Sequence, residues 1–269
     1  MKRDGQYQLV FGDSSNMSIV RNHEADLVLT SPPYYPAEIE DLLEKPLKEQ
    51  KDLHAVRSAV TSCALRLRPV YEEIRRILKP GGALVVQIKD IHYGGVLVPV
   101  APVHRDMAES AGLLLLTRVF WHKFNRRSRS CLFPSNPFVG AFRADEVEEI
   151  LVFSDRDIEP VIPQRVELDD EEIRKCSSPL WTMAPASRLR VHPHKAPDTL
   201  VRRMIALFSS PGDLVVDPFA GSGTTLEVAM QMGRRSIGYE IEERYARLAD
   251  LAVGRTANNG GNQDHEGRD

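Results

Sequence analysis

The chain has 269 residues, a formal charge of −3 and 42% hydrophobic residues, enough to bury a full core, with one domain plus a smaller elaboration expected. No apolar run reaches the roughly 18 residues of a membrane-spanning helix, and the polar start Met1-Lys2-Arg3-Asp4-Gly5 lacks a secretory apolar stretch. Cys63, Cys131 and Cys176 form neither a disulfide framework nor a CxxC metal knuckle, so no metal and a reducing, cytoplasmic setting are expected.

A net charge of −3 is not the usual footprint of a nucleic-acid binder, but the charges are segregated. Arg118, Lys123, Arg126, Arg127 and Arg129 occur with no acid between them, and Arg188, Arg190, His192, His194 and Lys195 form a second basic cluster. Acids collect at Asp145–Glu149 and from Asp155 to Glu172. One phosphate-gripping face and ordinary solvated arginines both explain this pattern.

Along the chain, β-rich runs alternate with amphipathic stretches, which predicts an α/β architecture with a largely parallel sheet. Strands are expected at Tyr7–Phe11, Asp26–Thr30, Ala83–Ile88, Leu114–Trp121, Glu149–Phe153, Leu214–Asp217 and Ser236–Tyr239. One long helical region, Leu53 to Leu78, should end in the turn Lys79-Pro80-Gly81-Gly82. Further helices are expected over Asp198–Phe208 and Thr224–Met232, and from Glu242 to just before Gly254. Residues 124–137 and 154–197 look irregular, so 124–197 reads as an accessory region between an N-terminal part, 1–123, and a C-terminal part, 198–253. The polar tail, 254–269, should be disordered.

Two stretches carry chemistry. Leu214-Val215-Val216-Asp217-Pro218-Phe219-Ala220-Gly221-Ser222-Gly223-Thr224-Thr225 is a buried strand entering a glycine turn and then a helix. Backbone amides there can approach a nucleotide-like or carboxylate-bearing ligand. The run is neither a GxGxxG fingerprint nor a P-loop. Downstream, Glu240 ends the next strand, where ribose hydroxyls are held in doubly wound folds; it would equally serve as a cap for the following helix. The second stretch is Leu27-Val28-Leu29-Thr30-Ser31-Pro32-Pro33-Tyr34. Its two prolines make a rigid turn able to aim the Ser31 hydroxyl and the Pro32 carbonyl at one amino group. Tyr34 offers a flat face on which a base would stack. A proline-rich surface turn with a packing tyrosine is the alternative.

Together, Thr30-Ser31-Pro32-Pro33-Tyr34 and Asp217-Pro218-Phe219-Ala220-Gly221-Ser222-Gly223 resemble the catalytic and cofactor motifs of DNA amino-methyltransferases. Their order resembles the circularly permuted β group. Gly12-Asp13-Ser14, Arg76-Ile77-Leu78-Lys79-Pro80-Gly81-Gly82 and Trp121-His122-Lys123 are similar to further family segments. So is His192-Pro193-His194-Lys195-Ala196-Pro197, with Ala196 inserted. The resemblance spans Tyr7 to about Leu251.

It implies a Rossmann-like S-adenosylmethionine-dependent methyltransferase fold: a mostly parallel seven-stranded sheet with helices on both faces. It assigns Ser31, Pro32, Pro33 and Tyr34 to the target base. Asp13, Thr30, Lys195, Asp217, Pro218, Phe219, Ala220, Gly221, Ser222, Gly223, Thr224 and Glu240 fall to the S-adenosylmethionine site. Asp13 would otherwise cap the helix after it, and Lys195 would be a phosphate or surface lysine. Region 124–197 becomes the target-recognition region, with Lys123, Arg126, Arg127 and Arg129 on double-stranded DNA. The target base would be flipped out of the duplex. The resemblance also implies a homodimer; a restriction endonuclease partner is not inferable.

Ser-Pro-Pro-Tyr resembles the cytosine-N4 branch, whereas Asp-Pro-Pro-Tyr is more usual for adenine-N6. Cytosine-C5 chemistry needs a Pro-Cys nucleophile, and no cysteine here follows a proline. Adenine-N6 methylation is the nearest alternative, followed by RNA or protein amide methylation and by a catalytically silent DNA-binding regulator.

Overall fold

The computed structural model describes residues 2–4, 7–35, 43, 49, 52–93, 96–123, 147–155, 167–186 and 196–260. Nine strands form one sheet: β1 (Lys2–Asp4), β2 (Tyr7–Phe11), β3 (Ala25–Thr30), β4 (Leu78–Ile88), β7 (Leu113–Lys123), β8 (Val147–Asp155), β9 (Leu180–Met183), β10 (Leu214–Asp217) and β11 (Arg235–Glu240). Their order is β1-β2-β11-β10-β3-β4-β8-β7-β9, and β5 (Ile91–Tyr93) and β6 (Val96–Val98) form a separate ribbon. β2, β11, β10, β3 and β4 run parallel, while β8 is antiparallel to both β4 and β7.

The described helices are α1 (Leu53–Arg66), α2 (Arg68–Ile77), α3 (Ala101–Ser110), α4 (Asp170–Cys176), α5 (Asp198–Phe208), α6 (Thr224–Gln231) and α7 (Glu243–Gly260). None is long and apolar enough to cross a membrane.

The central strands are apolar on both sides because helices cover both faces. Val28, Leu84, Val86 and Val216 pack with Val56, Val60, Val70, Ile74 and Met107 of α1–α3. Their neighbours Leu27, Leu29, Val85 and Val215 face Leu200, Val201, Met204 and Ile205 of α5. This period-two split is that of a strand buried on both faces.

Several expectations need correction. The sheet has nine strands rather than seven, because the short edge strands β1 and β9 are added. The helical region from Leu53 is two helices, with a break at Leu67, whose amide bonds back to Ala64. Pro69 lacks an N–H donor and starts the second helix. Lys79-Pro80-Gly81-Gly82 does not precede the strand but forms a bulge within it: the pairing jumps from Ala25↔Leu78 to Leu27↔Ala83. Gly81 has φ 76, and a Cβ on Gly82 would lie 3.0 Å from the Lys79 carbonyl oxygen. Of region 124–197, β8 and β9 belong to the main sheet rather than to a separate insertion. Finally, α7 continues through Gly254 to Gly260, since propagation from a docked helix adds a hydrogen bond per residue. Residues 261–269 lie outside the described residues.

Tyr71 and His104 join α2 to α3 inside the core, with the tyrosine Oη 2.8 Å from His104 Nδ1. His104 Nε2 is buried with no partner, and burial pushes the imidazole down to about 4. Native His104 therefore resists a proton that the unfolded chain accepts near 6.5. Its contribution is complete above that value and is lost as pH falls toward 4. Wild-type protein should lose roughly 2–3 kcal/mol relative to His104→Gln between pH 7.5 and 4.5. Thermal melts of both proteins at the two pH values check this; parallel losses would exonerate His104.

Candidate active site

Parallel strands present their carboxyl ends to one edge, and ligands of open α/β sheets bind outside that edge. Here four adjacent strands deliver the motifs side by side. β2 ends at Gly12-Asp13, β11 at Glu240, β10 at the glycine turn and β3 at Ser31-Pro32-Pro33-Tyr34.

The two principal motifs are in direct contact. Thr30 Oγ1 donates to Asp217 Oδ1 at 2.9 Å, joining residues 187 positions apart. The same oxygen accepts the Phe219 amide at 3.0 Å and so shapes the start of the glycine turn. Asp217 is 4% exposed. Burial raises its carboxyl to about 6, against the opposing hydrogen bonds from Thr225, Phe219 and Thr30.

The glycine turn follows from local sterics. Gly221 and Gly223 have φ 53 and 85, a left-handed conformation that glycine adopts without strain. A Cβ on Gly223 would also sit 3.0 Å from the Ala249 backbone, so the glycine lets α7 close against the turn. Pro218, Ala220 and Thr224 are buried, while Phe219, Gly221 and Ser222 remain partly accessible. Glu240 braces the turn: Oε2 accepts the Gly221 amide and Oε1 the Glu242 amide, both at 2.8 Å. It therefore caps the chain ahead of α7 and faces the glycine turn at once. Burial raises its carboxyl above the usual range.

Asp13 is exposed and its Oδ1 accepts the Ser15 amide at 2.8 Å, a local turn. The loop it starts is clamped from α2. Glu73 accepts the Met17 amide, and Arg76 donates to the Met17 and Val20 carbonyls. The preceding Gly12 amide bonds to the Glu240 carbonyl at 3.0 Å.

In the Ser31–Tyr34 turn, Pro32 is buried, Ser31 and Pro33 are exposed and Tyr34 is half-buried. Ser31 Oγ lies 2.9 Å from Tyr34 Oη. Burial first, then the charge of Glu148, pushes the Tyr34 phenol far up, so it stays neutral. Lys123, expected among the cations that grip DNA, instead turns inward: its ammonium pairs with Glu148 and lies 5.1 Å from the Trp121 ring centroid. Arg126, Arg127, Arg129 and Lys195 lie outside the described residues.

The sequence reading missed Phe11 and Ile241, which are 61% and 65% exposed. The only signal was their position: one directly precedes Gly12-Asp13 and the other directly follows Glu240. They put apolar surface beside an acidic strand end, as a nucleoside ligand requires. A cavity of about 350 Å³ lies elsewhere, lined by Ala83, Val119, Ile150, Trp181 and Phe208 among others, and it touches neither turn. Among the described residues no cluster could hold a metal.

Asp217 generates a pH prediction. Its native carboxyl, raised to about 6, binds a proton that the unfolded chain holds only below about 4. Its stabilising effect is thus complete below the unfolded value and lost as pH rises through 6. Asp217→Asn keeps an acceptor for Thr30 and Phe219 but does not titrate. From pH 4.5 to 7.5 wild-type protein should lose roughly 2 kcal/mol relative to this variant, the opposite slope to His104. Thermal melts again decide, and an unchanged difference would mean that Asp217 titrates normally.

A DNA methylase family model, that of the N6/N4 methyltransferases, matches residues 25–251. Type II methyltransferase M.MjaI of Methanocaldococcus jannaschii is 29% identical, over 92% of this chain and 91% of its own. DNA adenine methyltransferase YhdJ of Escherichia coli is 49% identical over a shorter stretch, 21% of this chain and 19% of its own. Among solved structures, a DNA modification methylase of Thermus thermophilus complexed with S-adenosyl-L-methionine superposes with a TM-score of 0.72 at 27% identity, covering 93% of this chain and 94% of that one. The fold and the glycine turn braced by Glu240 agree with this match: the chain belongs to the N6/N4 DNA methylase family and is an S-adenosylmethionine-dependent DNA amino-methyltransferase.

Proposed function

We propose that the protein methylates the exocyclic N4 amino group of cytosine at a specific site in duplex DNA, after the base is flipped out of the helix. The observation that carries this reading is the contact of Thr30, the residue before Ser31, with Asp217 at the head of the glycine turn. S-adenosylmethionine supplies an electrophilic sulfonium methyl. The Phe219, Ala220, Gly221 and Gly223 amides already have acceptors within the chain, so the cofactor's carboxylate suits the positive N-terminal end of α6; its ribose suits Glu240, and its adenine suits the apolar surface of Phe11 and Ile241. Asp13 and Lys195 are further contributors to that site.

A duplex base cannot reach the end of β3, so extrusion at a few kcal/mol is required. The half-buried Tyr34 ring then provides stacking worth about 1–3 kcal/mol. When Ser31 donates its hydrogen to the Tyr34 oxygen 2.9 Å away, its lone pairs are free to accept from the target amine. With the Pro32 carbonyl as a second acceptor, both amino hydrogens are held. The nitrogen lone pair is thereby drawn out of conjugation toward the more tetrahedral geometry of the transition state. Bound S-adenosylmethionine would give up its methyl to the nitrogen and keep the bonding electron pair on sulfur, and the amine held by Ser31 and Pro32 would release its proton to solvent. In-line alignment of donor and acceptor supplies much of the acceleration.

Cytosine is preferred because the turn reads Ser-Pro-Pro-Tyr. Adenine N6 is the second reading, favoured by the local similarity to YhdJ. The likeness to M.MjaI supports a place in a restriction–modification system. Site recognition falls to region 124–197, with Arg126, Arg127 and Arg129 as candidate contacts to DNA.

Modified-base sequencing and nucleoside mass analysis of DNA from expressing cells should reveal N4-methylcytosine at one sequence context. N6-methyladenine in its place would overturn the choice of base while leaving the reaction class intact. Ser31→Ala should lower single-turnover transfer by roughly 10²-fold without weakening cofactor binding. Tyr34→Phe should lose part of that factor through the missing hydroxyl, and Tyr34→Ala more, through lost stacking. Glu240→Ala should instead weaken S-adenosylmethionine binding. Equal loss of rate and affinity in all of these variants would contradict the division of roles.

A further inference from the structure

A buried charged cluster at the same sheet edge lies next to the catalytic turn. Glu148, near the start of β8, is 7% exposed. Its Oε2 accepts from Gln87 Nε2 at 2.6 Å, and its other oxygen pairs with Lys123. Gln87 is itself buried, the one polar residue in Val85-Val86-Gln87-Ile88 of β4. Three strands thus each contribute a polar side chain where apolar packing would serve the core. Removing the two ions from water is costly and is offset only by well-formed pairing.

Topology places this cluster. Thr30 at the end of β3 lies beside Val86 of β4, and Gln87 follows Val86. Gln87 pairs with Ile150 of β8, and Glu148 lies opposite Trp121 of β7. The cluster therefore adjoins the Ser31–Tyr34 turn on the β4 side, whereas the glycine turn adjoins it on the β10 side. Glu148 is close enough for its charge to act on Tyr34.

Resting on the function proposed above, we propose that Glu148 is a positioning residue of the base pocket: with Gln87 and Lys123 it builds the wall opposite the cofactor, which keeps the Ser31–Tyr34 turn and the extruded base in register with the methyl group. Lys123 holds the carboxylate in place, and Gln87 ties it to the strand beside the turn. The lysine acts inside the wall rather than on DNA phosphate.

The test uses full-length protein and a duplex carrying its methylation site, with a fluorescent base analogue at the target position in a parallel series. Glu148→Gln preserves size and an acceptor for Gln87 but removes the ion pair. It should slow single-turnover transfer by roughly 10²-fold, the scale of a small misplacement at a reacting centre, and alter analogue emission. S-adenosylmethionine affinity should stay at the wild-type level. The double variant Lys123→Met with Glu148→Gln leaves no stranded charge, so it should keep the wild-type Tm while remaining slow.

Transfer within about threefold of wild type by either variant, or a collapse of Tm in both, would reduce the cluster to a structural pair and overturn the inference, since mispositioning predicts a far larger loss without unfolding. Wild-type protein that binds S-adenosylmethionine yet methylates no DNA would bring down the proposed function, and this inference with it.

Discussion

The parallel pairing of β3 with β10, closed at its end by the hydrogen bond from Thr30 to Asp217, is the constraint on which the site depends. It joins segments that neither local propensity nor short loops could bring together, and the loop-closure entropy lost must be recovered by burial on both faces of the sheet. The bond sits in a dry environment, where an unpaired Asp217 would be expensive. The end of β3 and the start of the glycine turn therefore meet at a single buried acceptor.

From that junction the edge divides by chemistry. On the β10 and β11 side are the N-terminal end of α6, a carboxylate and exposed apolar side chains, the groups that suit an amino-acid tail, a ribose and an adenine. On the β4 and β8 side are Gln87, Glu148 and Lys123, all turned inward on one another. The catalytic turn lies between. The parallel strands produce this arrangement readily, because their carboxyl ends open to one edge, where antiparallel β8 begins, and neighbouring strands come from remote parts of the chain.

Other buried ions hold the frame rather than the site. Arg234 is fully buried and donates to both the hydroxyl and the carbonyl oxygen of Ser209, to the Met232 carbonyl and to Glu167. It thereby locks the loops entering β10 and β11, whose register sets where the glycine turn and Glu240 emerge. Arg76 does the same for the loop after Asp13. Arg234 stands in no motif, because its partners Ser209 and Glu167 lie far away in sequence.

The sequence by itself determined the central strands, the two turns and helix α5, because period-two apolar runs, consecutive prolines and closely spaced glycines are local constraints with local consequences. Gly221 and Gly223 show this directly: they form the expected glycine turn, in a left-handed backbone that glycine adopts without strain. Only tertiary structure decided that Asp217 would bind Thr30, that Lys123 would turn in on Glu148, and that Lys79–Gly82 would bulge within a strand instead of preceding it. It also added edge strands β1 and β9, too short to announce themselves, and carried α7 past Gly254. For Asp217 and Lys123 the outcome turned on which remote group filled a hydrogen bond or neutralised a buried charge, and a one-dimensional pattern contains no record of that pairing.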